Sequence, residues 1–443
     1  MKIRFVTLGC KLNFAESSAL GRELLARGHQ KASQSEVPDV CVVNTCSVTD
    51  AADHKDRQAI NQLHRKYPHA IIIVTGCYAQ LQPDQVSKIE GVNYVLGQNE
   101  KYSITQLVDE LCESLEDGVP PTGRPAGYSL EAQKIRVGKI REVEEFHGVH
   151  SGDDRTRCFI KVQDGCNYFC SYCTIPYARG KSRNPWISEV VEEAQKAIQD
   201  GAKELILTGV NIGDFGRSTG ESFIELLRAL DELGNEEMRQ EARGMDYRVR
   251  ISSCEPNLLT DEIIDFVAQS KHFAPHFHIP LQSGSNEVLK IMGRRYSREL
   301  FAERVRHIKE VMPHAFIGVD CMVGVRGETE AYWEDYLAFI KQLDVSQLHV
   351  FTYSERANTR MLEMDLYVVP KAERQRRSKI LHEVSEEKTK AFYAQHAGRK
   401  AVVLWESKKE GDQMAGFTDN YIKVYGPYNK AKVNSFERVE IRE

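Results

Sequence analysis

The sequence has no apolar run of membrane-spanning length and no secretory hydrophobic segment behind its opening Met1-Lys2-Ile3-Arg4-Phe5-Val6-Thr7-Leu8. The expectation is therefore a cytoplasmic protein with no membrane partner. It also lacks a basic excess. The formal net charge of −5 argues against a chain coated in nucleic acid, but it leaves room for a local basic face. A fourth metal ligand is missing where one would be looked for. Cys166, Cys170 and Cys173 stand in C-x3-C-x2-C spacing, and no further Cys or His follows at zinc-ribbon or finger spacing. Eleven cysteines without an export signal favour a reducing compartment and ligand roles over disulfides.

What is present is ordinary in bulk and specific in places. The 443 residues give room for two or three domains, and 41% hydrophobic with 28% charged residues is usual for a globular protein. The loop from Gln163 to Gly180 carries the three cysteines at the end of an expected strand, 158–163. Three thiolates on one loop can hold three irons of a cubane cluster and leave the fourth open to a small-molecule ligand.

The first hundred residues alternate strands (2–8, 38–44, 70–75, 92–96) with helical segments such as 17–27, stopped by Gly28. This pattern reads as an open parallel α/β sheet. Cys10, Cys46 and Cys77 each lie just past the C-terminal end of an expected strand. Ligands gather at that edge of open sheets, so the three should converge. Cys41, inside a strand, and Cys112, ending a helix, read as packing residues. A connector follows, broken by Pro120-Pro121-Thr122-Gly123-Arg124-Pro125; its His147 and His150 read as solvated rather than metal-binding.

From Arg157 onward six strands (158–163, 204–208, 247–252, 276–280, 315–321, 347–353) alternate with helices (187–199, 223–233, 261–269, 298–311, 330–343). This fits a partial (β/α)6 barrel with its functional residues at the C-terminal strand ends. A long helix at 370–396 precedes short strands at 401–405, 414–425 and 435–441, an expected small all-β barrel. Residues 399–443 carry nine Lys/Arg against seven Asp/Glu, with Phe417, Tyr421, Tyr425 and Tyr428 between them, a composition suited to stacking on RNA.

The loop Gln163-Asp164-Gly165-Cys166-Asn167-Tyr168-Phe169-Cys170-Ser171-Tyr172-Cys173 closely resembles the signature of radical S-adenosylmethionine (SAM) enzymes. The wider wording resembles the methylthiotransferases among them. The resemblance implies two 4Fe–4S clusters, one on Cys166, Cys170 and Cys173 that also binds SAM, and an auxiliary one on Cys10, Cys46 and Cys77. It implies SAM contacts at Tyr172, Gly209, Asn211, Ser253 and Glu255. Here Thr208-Gly209-Val210 replaces the family's Gly-Gly-Glu wording, and Val325-Arg326 replaces an apolar-Pro pair. The alternating His276 and His278 read as packing or hydrogen-bonding residues, and Cys254 as a buried thiol. The tail resembles the TRAM domain, an RNA-binding module.

The expected division is 1–115 for the auxiliary-cluster domain, 116–153 for a linker, 154–384 for the radical SAM core and 385–443 for the TRAM-like domain. Gly9-Cys10-Lys11-Leu12-Asn13 most resembles the branch that modifies N6-threonylcarbamoyladenosine. The implied activity is addition of a methylthio group at C2 of that base, at position 37 in the tRNA anticodon stem-loop. A reductant such as flavodoxin or ferredoxin would be needed, and the sulfur donor is left unassigned. An adenine C2–H offers neither acidity nor electrophilicity, which is why radical chemistry is required. The alternatives are isopentenyladenosine in tRNA, a ribosomal-protein target, or a non-catalytic iron–sulfur protein that binds RNA or carries electrons.

Overall fold

The computed structural model describes residues 1–116, 134–152, 156–233 and 247–442; the proline-rich stretch 120–125 lies outside them. Strands β1 (Lys2–Thr7), β2 (Gln30–Lys31), β3 (Val40–Thr45), β4 (Ile71–Gly76), β5 (Val92–Leu96) and β6 (Ile135–Arg136) form one parallel sheet in the order β2-β1-β3-β4-β5-β6. β3 and β4 are buried at every position because helices cover both faces, which is what continuous runs such as Ile71-Ile72-Ile73-Val74 require. Strand order reverses between β1 and β3, the place where open α/β sheets bind ligands.

Two features differ from expectation. The first helix starts at Lys11 rather than at 17, because its buried face includes Asn13, Glu16 and Ser17, which hide the apolar period. The connector also contributes β6, a two-residue edge strand too short to show alternation.

In the central region β7 (Arg157–Lys161), β8 (Glu204–Thr208) and β9 (Arg248–Ile251) form one parallel sheet, and β10 (His276–Gln282), β11 (Phe316–Val323) and β12 (Gln347–Thr352) another. Parallel bridges Val249–Phe273 and Ser253–His278 join β9 to β10, giving six strands in a partial barrel. Helices Ile187–Gln199, Phe223–Asp231, Asp261–Gln269, Arg298–Val311 and Glu330–Gln342 follow the first five strands, and one apolar core runs through both sheets.

The helix Lys371–Ala394 runs unbroken through residue 385, so a boundary there would cut it. Beyond it, β13 (Lys400–Glu410), β14 (Gln413–Thr418), β15 (Lys423–Pro427) and β16 (Phe436–Glu440) form an antiparallel sheet, β15-β14-β13-β16. It curls into a half-barrel whose edges are β15 and β16. The single strand expected at 414–425 is a hairpin, turned at Tyr421 with φ +66°.

This sheet packs under the N-terminal ends of the barrel strands. Arg248 and Arg250 share the buried carboxylate of Glu204 and donate to the carbonyls of Phe417 (3.0 Å) and Asp419 (3.0 Å). The Tyr421 ring lies 5.0 Å from those of both His276 and Phe417, and Arg157 donates to its hydroxyl. Phe417 and Tyr421 thus floor the barrel and do not present themselves to RNA. Tyr425 (49% exposed) and Tyr428 (36%) face solvent instead.

A buried set of charges clamps the N-terminal sheet domain to the barrel. Glu16 lies within 2.6 Å of Lys101, 3.3 Å of Lys161 and 3.1 Å of Arg179. Asp164 pairs with Lys161 (2.8 Å), Arg179 (3.0 Å) and Arg183 (3.3 Å). Burial alone would raise the Glu16 carboxyl, but Arg179, Lys101 and Lys161 hold it well below the usual range. Its stabilisation is therefore present above the unfolded-state pKa and is lost as pH falls through the folded one. Glu16→Ala would leave Lys101 with no carboxylate among the described residues and Lys161 and Arg179 with Asp164 alone, and should destabilise the chain by about 3–5 kcal/mol. A urea-unfolding midpoint at pH 7 equal to that of the wild type would show that the clamp carries no such load.

Candidate active site

The loop after β7 is held by its backbone before any ligand is considered. Gly165 sits at φ +70°, where an added Cβ would fall 1.9 Å from the Lys181 carbonyl oxygen, so only glycine lets the loop pass its own return strand. Cys166 N donates to the Gly180 carbonyl, Ser171 N to Met292 O and Cys173 N to Cys170 O. Phe169 takes φ +50° at the tip and is partly exposed. Gln163 ties this loop to the one after β8. Its Nε2 donates to Gly165 O (2.7 Å), and its Oε1 accepts from the amides of Val210 (2.9 Å) and Asn211 (2.8 Å).

Cys166, Cys170 and Cys173 come together there. Burial pushes the Cys166 thiol up to about 11 and Cys173 to about 12, and proximity to Cys170 adds to both. Donors are nevertheless aimed at the sulfurs: Tyr168 N at Cys166 (3.4 Å), Arg294 Nη1 at Cys170 (3.2 Å) and Ile175 N at Cys173 (3.5 Å). These contacts suit thiolates, the form that binds metal.

Cys10, Cys46 and Cys77 also converge, Cys46 and Cys77 directly after β3 and β4 and Cys10 three residues past the end of β1. Gly9, at φ +97°, makes the approach possible, since a Cβ there would lie 2.6 Å from Cys46 Cβ. Burial raises the Cys46 thiol to about 12, with Cys77 and Cys10 contributing. Burial raises Cys77 too, while Arg179 opposes it. Among the described residues, no three His, Cys, Asp or Glu side chains are grouped to hold a single metal ion. Two all-thiol triads, each with a cation beside it, fit iron–sulfur clusters that take three protein ligands.

The expected SAM contacts fare unevenly. The Tyr172 hydroxyl lies 3.5 Å from Arg294 in the wall beside Cys170. Gly209 packs against Gln163 and Ile212, with no room for a side chain. Asn211 is buried with neither amide end hydrogen-bonded, although the Tyr168 hydroxyl is its neighbour, so it has capacity for a ligand. Ser253 is engaged by His278 Nδ1 (3.1 Å), whose Nε2 meets Asp320 (2.7 Å). Glu255 is already ion-paired with Arg294.

His278 is thus a hydrogen-bonding histidine, one of the two roles expected for it, linking Ser253 to Asp320. His276 is buried over Phe316. His147 and His150 are not simply solvated, and each has a partner of its own. His147 stacks on Tyr102, and His150 meets Glu193 at 2.8 Å. Cys254 and Cys321 are buried thiols, as is Cys41.

The sequence reading missed Arg294. It follows the αL glycine that ends helix Asn286–Met292, a readable stop signal, but its partners Cys170 and Glu255 are remote in sequence. It also missed Lys11, which is solvent-accessible yet surrounded by protein. Burial, then Arg250 and Arg157, lower its ammonium to about 8, and Ser252 Oγ is 3.5 Å away.

A partial parallel barrel with a three-cysteine loop at its mouth defines a radical SAM protein. Residues 160–340 match the family model of the radical SAM superfamily, and residues 2–97 that of the uncharacterized protein family UPF0004. The threonylcarbamoyladenosine tRNA methylthiotransferase MtaB of Bacillus subtilis (strain 168) is 34% identical over 99% of this chain and 93% of its own length. The tRNA-2-methylthio-N(6)-dimethylallyladenosine synthase of the same organism is 28% identical over 99% of this chain and 82% of its own. Among solved structures, the radical S-adenosylmethionine methyltransferase TsrM from Kitasatospora setae superposes with a TM-score of 0.55. That match covers 92% of this chain and 79% of the other at 16% identity, a likeness of fold. The chain belongs to the radical SAM methylthiotransferase family.

Replacing Cys166, Cys170 and Cys173 together by Ala should halve the iron of the anaerobically reconstituted protein, from about eight per chain, and abolish reductive SAM cleavage. Full iron in that variant would refute the assignment of the loop.

Proposed function

We propose that this chain adds a methylthio group at C2 of N6-threonylcarbamoyladenosine at position 37 of tRNA. The observation that carries the reading is the convergence of two cysteine triads, one at the sheet edge and one at the barrel mouth, joined through Arg179. Its guanidinium donates to Asn13 Oδ1 (2.7 Å), beside Cys10, and to Asp164 in the approach to Cys166. With two 4Fe–4S clusters and SAM bound, such a site supplies the radical and the sulfur that an unreactive aromatic C–H needs. Cys166, Cys170 and Cys173 would hold one cluster and Cys10, Cys46 and Cys77 the other.

The residues of the chain orient and enclose. Gln163 fixes the β8 loop against the cysteine loop, so Asn211 faces the site from a defined position. Arg294 neutralises charge at Cys170 and holds Glu255. The target base must leave the anticodon-loop stack to reach C2, since chemistry on a base requires it to be presented unstacked. Higher identity to the threonylcarbamoyl enzyme than to the dimethylallyl enzyme of one organism, over equal coverage of this chain, supports the first target. No helix among the described residues is long and apolar enough to cross a membrane.

The direct test is mass spectrometry of tRNA nucleosides from a deletion strain. Loss of 2-methylthio-N6-threonylcarbamoyladenosine, restored by the wild-type gene, is the expected result; loss of the isopentenyl product alone would overturn the target. Replacing Cys10, Cys46 and Cys77 by Ala should keep SAM cleavage but stop methylthiolation.

For the tail, the RNA face is the one bearing Lys423 over Tyr425 (4.6 Å) and Lys409 over Tyr428 (5.4 Å). Lys409→Ala with Lys423→Ala should weaken tRNA binding and flatten its salt dependence, by a slope of about 0.7 per lost phosphate contact on single strands. Equal affinity and slope would place RNA recognition elsewhere.

A further inference from the structure

Lys11 is the residue whose position the mechanism above leaves unused. It follows Cys10 directly, so its backbone belongs to the sheet-edge triad, yet its ammonium reaches Ser252 Oγ, 3.5 Å away at the end of β9 in the barrel. One side chain thus bridges the auxiliary triad and the barrel's inner face. The charged groups within electrostatic reach are Arg250, Arg157, Glu204 and Asp320. Each of those carboxylates already has a partner of its own: Glu204 is shared by Arg248 and Arg250, and Asp320 is held by His278 at 2.7 Å. Arg157 is paired with Glu406 at 2.8 Å. Among the described residues, Lys11 alone of these cations lies within ion-pair distance of no carboxylate, and it remains solvent-accessible. A solvent-accessible cation beside two arginines, with no counter-charge of its own, is a seat for an anion supplied from outside.

The target proposed above carries such an anion. The N6-threonylcarbamoyl group ends in an amino-acid carboxylate and a hydroxyl, whereas an isopentenyl group has neither. We propose that Lys11, with the Ser252 hydroxyl beside it, binds the carboxylate of the threonylcarbamoyl group and so determines which modified adenosine the site accepts. The assignment rests on the threonylcarbamoyl reading of function. Its chemistry is direct: the ammonium donates a charge-assisted hydrogen bond to one carboxylate oxygen, and the serine hydroxyl donates to the other. Because Lys11 neighbours Cys10, the same contact would set the base at a fixed distance from the auxiliary triad. Lys11 is a specificity-determining residue and takes no part in bond making.

The experiment uses the reconstituted holoenzyme without reductant. Fluorescence anisotropy measures its affinity for three anticodon stem-loop RNAs, bearing N6-threonylcarbamoyladenosine, its threonyl methyl ester, or N6-isopentenyladenosine. The wild type should bind the free acid about ten- to a hundredfold more tightly than the ester, the range expected for losing one charged hydrogen bond. Lys11→Met and Lys11→Gln should lose that preference by weakening binding of the acid alone, and Lys11→Arg should keep most of it. Iron content per chain shows whether each variant still holds both triads, and a variant that loses iron is replaced in the comparison by the other. Equal wild-type affinity for acid and ester, or a preference that survives both Lys11→Met and Lys11→Gln, overturns the assignment. Wild-type methylthiolation of the isopentenyl RNA but not of the threonylcarbamoyl one is a different failure: the target itself is then wrong, and this role for Lys11 falls with it.

Discussion

Two buried carboxylates, Glu16 and Asp164, govern how the two halves of this molecule meet. Glu16 comes from the first helix of the sheet domain, and Asp164 from the loop that leads to the central cysteines. Between them they engage Lys101, Lys161, Arg179 and Arg183. Apolar packing would hold the halves together with less directional demand, whereas a guanidinium shared by two carboxylates and an asparagine tolerates few relative placements. The excess of cations over carboxylates has a use at this depth. Arg179 and Lys101 both act on Cys77, which burial would otherwise keep protonated. The clamp that fixes the geometry is thus also the local source of positive charge for the sheet-edge triad.

The opposite end of the barrel is governed by a third buried carboxylate, with two arginines. Arg248 and Arg250 share Glu204 and also donate to carbonyls of the C-terminal sheet, with Arg248 Nη1 left without a partner among the described residues. That explains why two of the four tail aromatics are unavailable to RNA. The tail closes the floor with one face and exposes Tyr425 and Tyr428 on another.

Much of this was legible in the sequence, for identifiable reasons. Strands β5 and β8, and helices such as Asp261–Gln269 and Arg298–Val311, fall where periodicity puts them, because apolar runs and stop signals agree there. Both cysteine triads could be placed, one by local spacing and one by the rule that ligands gather at strand ends. The illegible parts share one property: they depend on pairing at long range. The polar buried face of helix Lys11–Ala26 makes sense only beside Arg179 and Lys101. Arg294 matters through Cys170, 124 positions away, and Phe417 and Tyr421 looked free because their partners Arg157 and Arg250 are remote in the chain. The two-residue edge strands carry too few residues to show any period.

The two triads differ in how much chain must be in place before they exist. Cys166, Cys170 and Cys173 belong to one loop, so bringing them together costs little conformational entropy, although Met292 and Arg294 help to hold it. Cys10, Cys46 and Cys77 meet only once β1, β3 and β4 are paired in register, a non-local event of the kind that forms late. The loop triad is thus set largely within one segment, whereas the sheet-edge triad is available only to a finished domain. The sheet-edge triad is therefore a property of the whole N-terminal domain, and any change that loosens the pairing of β1, β3 and β4 would scatter its three sulfurs.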